Sequence, residues 1–114
     1  MSRLDRARLD DITDAIGAIH QHLERGDLHD GLVYDAVRVR LIENGEADKA
    51  ISPQLLQDAP EIPWSAIARM RDHLAHHYFD TDHAIVQDVI GTELTPLFDA
   101  VRNLISRLDG NARA

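Results

Sequence analysis

PWSAIARMRDHLAHHYF, residues 63–79, places Trp64, Ile67, Leu74 and Tyr78 near one face at helical spacing, which predicts a helix across the stretch. Pro63 suits its first turn, where a missing N–H costs nothing. Within about two turns, residues 71–78 also gather an arginine, an acid, three histidines and a tyrosine. No other part of the chain concentrates reactive side chains in this way.

The flanking sequence repeats the helical pattern. Ile12, Ile16, Ile19 and Leu23 mark an amphipathic helix over residues 3–24, ended by Gly26 and Asp27. From Leu28, the apolar positions Leu32, Val33, Ala36, Val37, Val39 and Leu41 mark a second helix to about Ile51, with Arg38 and Arg40 on its more polar side. Gly45 interrupts it at a cost of about 1 kcal/mol relative to Ala, so it either ends the helix or permits a close helix contact. Residues 52–63, SPQLLQDAPEIP, read as a loop with one short helical turn. After the helix that opens at Pro63, Asp80 and Asp82 offer a turn and an N-cap. A short helix carries Ile85, Val86, Val89 and Ile90 up to Gly91, and a last one runs from Thr95 and Pro96 to Gly110.

There is no strand-like alternation, repeat or low-complexity segment. The expected fold is therefore all-α: an antiparallel helical bundle of four main helices plus a short helix, forming one domain over residues 1–110 with a frayed tail at 111–114. At 114 residues it is long enough to bury roughly two-thirds of its unfolded surface. The absence of Cys removes disulfides, thiolate zinc sites and a cysteine nucleophile. The opening residues lack the apolar core of a signal peptide and no apolar run is long enough for a bilayer, so a soluble cytoplasmic protein with no membrane contact is expected. A formal charge of −8 argues against broad, salt-driven nucleic-acid binding, so any RNA contact must come from a local cluster.

Arg71 shares a side with Ile67, Leu74 and Tyr78, so a fixed charge leaves a partly apolar face. It reads either as a surface arginine whose stem covers the core or as an anion clamp, since guanidinium matches phosphate in a bidentate fork. His76 follows Asp72 by four residues, the spacing at which a carboxylate can orient an imidazole for general acid or base work, and also that of an ordinary surface pair. Together Arg71 and His76 supply the parts for metal-free RNA cleavage by its own 2′-hydroxyl: a base for the hydroxyl proton and a cation for the charge on the phosphoryl oxygens. They project about 140° apart on an ideal helix, so two chains meeting across a two-fold axis would bring them together more readily than one. His73 and His77 have metal spacing but no third ligand in sequence, so no metal or other cofactor is expected. His20, His22 and His83 read as solvated, and Tyr78 and Phe79 as packing residues, with the Tyr78 hydroxyl alternatively at the mouth of a site.

The spacing Arg71, four residues, His76, one residue, Tyr78 resembles the HepT-like toxins of the HEPN superfamily. The likeness extends to Ile42-Glu43-Asn44-Gly45-Glu46-Ala47, to Pro60-Glu61-Ile62-Pro63-Trp64 with Ile67 and Met70-Arg71, to Tyr78-Phe79-Asp80-Thr81-Asp82 with Ile85-Val86, and to Leu94–Leu97, covering about residues 28–108. It implies a homodimeric HEPN-like bundle, a metal-independent endoribonuclease that is the toxin of a two-gene module. Arg71 and His76 would be its catalytic pair. Asp72 takes the supporting polar position where many relatives carry Asn, and Asn44 stands where Ile is more usual. Tyr78 matches the tyrosine that an MntA-type nucleotidyltransferase antitoxin modifies with AMP in some members. The same cluster also fits a non-catalytic subunit that binds a nucleotide or a nucleotidyltransferase.

Overall fold

Helical spacing in the sequence becomes helix throughout the residues that the computed structural model describes, 3–76 and 83–113. The helices are α1 (Arg3–Arg25), α2 (Gly31–Ala50), the single turn α3 (Pro53–Leu56), α4 (Trp64–His76), α5 (His83–Thr92) and α6 (Leu94–Arg113). No strand occurs among the described residues. The all-α expectation holds, with α1, α2, α4 and α6 as the main helices, α5 as the short one and α3 as the turn within the proline-rich segment. No helix among the described residues is long and apolar enough to cross a membrane.

Three boundaries differ from the sequence reading, each for a local reason. α2 begins at Gly31 because Asp30 caps it, its extended backbone (φ −77°, ψ 119°) letting the carboxylate accept from the N–H groups of Leu32 and Val33. Leu28 is left outside the helix but buried. Pro63 lies just before α4, and its carbonyl accepts from Ile67 N–H at 3.1 Å. α6 continues through Gly110 to Arg113, and Pro96 sits within its first turn, where N–H groups have no intrahelical partner. The Asp80 and Asp82 turn lies outside the described residues.

Leu9, Ile12, Ile16 and Ile19 of α1 form the centre of one core with Val33, Val37 and Leu41 of α2, Ile67 and Leu74 of α4, Val86 of α5, and Leu97, Val101 and Leu104 of α6. α1 packs on α2 and on α6, while α2 also packs on α4. The main helices therefore follow the spatial order α4, α2, α1, α6. Because α2 has a helix on both sides, its buried positions spread around it, including Tyr34, Asn44, Gly45, Ala47 and Asp48 as well as the apolar stripe. Leu32 and Val39 fall on the uncovered side and are exposed.

Polar contacts fix the directions. The buried Asp5 near the start of α1 accepts from Ser52 N–H at 2.9 Å and from Ser52 Oγ at 2.7 Å, just beyond the end of α2. α1 and α2 are therefore antiparallel. An ion pair from Arg6 to Asp109 similarly joins the start of α1 to the end of α6. Removing the interior acceptor with Asp5→Ala should leave the Ser52 groups unpaired and cost about 1–3 kcal/mol, read as a lower urea midpoint.

Candidate active site

Gly45 is buried inside α2, and a Cβ built there would overlap the Cβ of Arg71 and come within 2.7 Å of its Cγ. Of the two meanings open to this glycine, the structure selects the close helix contact. It is the point at which the α4 arginine is pressed against α2. Arg38, Gly45 and Lys49 recur at spacings of seven and four, so they lie along one stripe of α2. Each meets α4.

At one end of that stripe, Arg38 Nη1 donates to the Leu74 carbonyl at 2.7 Å, two residues before His76. A cation is thereby placed on the last described turn of α4. At the other end Lys49 Nζ donates to Asp72 Oδ1 at 2.9 Å. The Arg38 contact lies nearer the end of α4 than those of Gly45 and Lys49, as antiparallel packing of the two helices gives.

The Arg71 guanidinium is ordered on two sides. Its Nε forms an ion pair with Glu46, and its Nη1 donates to Asp72 Oδ1 at 3.1 Å. The side chain is 22% exposed, while Glu46, Lys49 and Asp72 are about half exposed around it. Hydrogen bonds from Lys49, and next from Arg71, hold the Asp72 carboxyl below its usual range. The structure shows the first of the two sequence readings of Arg71: its stem packs against α2 and its charged end reaches the surface.

Asp72 has Lys49 and Arg71 as its partners on the described residues. His76 is the last described residue of α4, and its side chain, with Tyr78 and His77, lies outside the described residues. His73 is half-buried in a shallow hollow with Met70 and Ile85. Among the described residues, no group of three or more metal-ligating side chains converges. His20 is exposed as expected, but His22 is half-buried and its Nε2 accepts from Arg40 Nε at 3.3 Å. A groove of about 570 Å³ runs between α1 and α2, lined by Arg8, Asp11, Asp14, Arg40, Glu43 and Glu46. The groove is mixed in charge, and Glu46 is shared between it and the Arg71 cluster.

A second buried polar pair stands beside Gly45. Asn44 and Asp48 are 2% and 4% exposed, and neither Oδ1 atom has a hydrogen-bond partner among the described residues. Burial pushes the Asp48 carboxyl up to about 6.

Comparison with known proteins matches residues 9–104 to the family described as Ribonuclease HepT-like. The chain belongs to the HepT-like ribonuclease family. Among curated HepT-like relatives, the "Probable ribonuclease HepT" of Thermococcus cleftensis is 32% identical over 101 residues, which cover 85% of this chain and 92% of the relative. The "Putative RNase MJ0127" of Methanocaldococcus jannaschii is 30% identical over 66 residues, covering 58% of this chain and 54% of that protein. The matched stretch thus spans about half of the second relative's length. No solved structure matches the chain.

Arg38, Glu46 and Lys49 were absent from the sequence-derived site. A signal for Arg38 and Lys49 existed: once Gly45 is taken as a contact with α4, the residues two turns before and one turn after it on the same stripe flank that helix.

Two outcomes test this packing. Gly45→Ala gains about 1 kcal/mol of helix propensity but forces apart a contact whose overpacking costs about 1–3 kcal/mol, so a net loss of stability is expected in urea. For Asp48, a carboxyl pKa raised in the folded state contributes stability that is full below pH 3.8 and lost as pH rises through about 6. Asp48→Asn should flatten the dependence of stability on pH between those values. It should also raise stability at pH 7 by about 1–2 kcal/mol, the full linkage value being reduced for residual solvent screening.

Proposed function

We propose that this chain is a metal-independent endoribonuclease that acts as a homodimer and as the toxin of a two-gene module. One observation carries the reading: in a HepT-like chain, the Arg71 guanidinium is held in a fixed orientation at the surface of the helix that also bears His76. Family membership and the ribonuclease names of its relatives support the substrate class. The net charge of −8 leaves such a local cation as the place where a phosphodiester can bind.

In the proposed reaction, the His76 imidazole takes the proton from a ribose 2′-hydroxyl. The oxygen attacks the adjacent phosphorus, the bond from phosphorus to the 5′-oxygen breaks, and that oxygen takes a proton from solvent, to which the His76 imidazolium returns its own, leaving a 2′,3′-cyclic phosphate and a 5′-hydroxyl. Arg71 neutralises the charge that builds on the phosphoryl oxygens, which guanidinium does without changing protonation. Asp72 supports the pair from the Arg71 side. Five residues separate Arg71 from His76, which turns them about 140° apart on an α-helix. A second copy therefore supplies the facing half of the groove, as a two-fold interface does naturally.

Silencing follows the same electrostatics. AMP placed on Tyr78 by an MntA-type nucleotidyltransferase would put a bulky anionic phosphodiester seven residues along the chain from Arg71, to compete with RNA phosphate.

Purified wild-type protein, Arg71→Ala and His76→Ala incubated with total RNA in EDTA test this directly. Wild type should cleave, and each folded variant should lose about 10²–10⁴ in rate. Full cleavage by a folded His76→Ala protein, or loss of wild-type cleavage in EDTA, would contradict the proposal.

A further inference from the structure

Lys49 is the chain's single lysine, and α2 places it beside the α4 arginine. Its Nζ and Arg71 Nη1 both donate to the same oxygen, Asp72 Oδ1, at 2.9 and 3.1 Å, so the two cationic groups lie within about 6 Å of one another. Two like charges at that distance repel, and the carboxylate oxygen between them offsets the repulsion. An exposed anionic oxygen between an ammonium and a guanidinium is the arrangement a phosphate oxygen adopts in a two-cation cradle. Asp72 and Lys49 are both about half exposed, so a ligand can reach that position without opening the core.

Glu46 pairs with the Nε of Arg71, and Asp72 accepts from its Nη1. The guanidinium is therefore held at two of its nitrogens, and through Asp72 it meets Lys49. We propose that Lys49 and Arg71 form one cradle for the sugar-phosphate backbone of single-stranded RNA, with Lys49 a substrate-binding residue and a phosphate oxygen taking the place of Asp72 Oδ1. This rests on the ribonuclease reading for the identity of the ligand. The juxtaposition itself does not depend on His76.

Lys49 accordingly acts in binding rather than in bond cleavage. Its contact is electrostatic, so it contributes to the salt dependence of affinity: each phosphate neutralised on a single strand adds about 0.7 to the slope of log K against log salt. A residue that only holds Asp72 in place would leave that slope unchanged.

The test uses fluorescence anisotropy of a labelled single-stranded RNA on the His76→Ala protein, between about 50 and 200 mM salt. Adding Lys49→Ala should weaken binding about three- to tenfold at the low-salt end and reduce the slope by about 0.7. Lys49→Arg should restore most of both. Asp72→Asn should tighten binding by removing the competing carboxylate, and Lys49→Ala in that background should still weaken it and lower the slope. In the catalytically intact protein, the Lys49→Ala loss should fall on KM rather than on kcat.

Unchanged affinity and slope in folded Lys49→Ala protein would overturn the cradle, as would loss of the Lys49 effect once Asp72 is Asn. Failure of the ribonuclease reading has a different signature: wild type then cleaves no RNA, whatever Lys49 does to binding.

Discussion

The contact between Gly45 and Arg71 is the constraint around which the site is built. Glycine in a helix interior gives up about 1 kcal/mol of propensity, and here the missing side chain is the space that the Arg71 stem occupies. With its Cβ against α2, Arg71 projects its charged end along a defined path. Glu46 and Lys49, one position and one turn beyond Gly45, then meet the Arg71 Nε directly and its Nη1 through Asp72. A larger residue at 45 would separate the helices and move the guanidinium relative to both.

The same helix carries the rest of the arrangement. α2 is gripped between α1 and α4, so it trades a single apolar stripe for buried positions on two sides. Its stripe of Val33, Val37 and Leu41 gives way near the site to Asn44 and Asp48, groups that burial disfavours. Asp5 fastens its far end through Ser52, and Arg38 fastens the turn of α4 next to His76. The candidate site is thus positioned by polar contacts at defined heights on a hydrophobic bundle, beside buried polar groups that cost stability.

Fold class was legible because apolar periodicity is a property of each segment alone. Ile12, Ile16 and Ile19, or Leu97, Val101 and Leu104, indicate a buried helical face without reference to any neighbour. Helix ends were less legible: Asp30 displaced the start of α2 from Leu28, and Gly110 did not stop α6. The reactive cluster around Arg71 was visible in local spacing, and so was the resemblance that led to the HepT-like family. Its partners from α2 were not, because Glu46, Lys49 and Arg38 lie 23 to 36 residues from the α4 groups they meet. The pairing of Lys49 with Asp72 is a property of how two helices pack, which one helix cannot announce.

Under the function proposed above, Arg71 and His76 are half of a site that a second copy of the chain completes. Mixing inactive Arg71→Ala protein with inactive His76→Ala protein under conditions that exchange subunits tests this most directly. Half of the dimers then contain both variants, each with one groove that joins an intact Arg71 to an intact His76 across the two-fold axis. RNA cleavage should return to about a quarter of the wild-type rate. A mixture that exchanges subunits and stays as inactive as its parents would contradict the shared site.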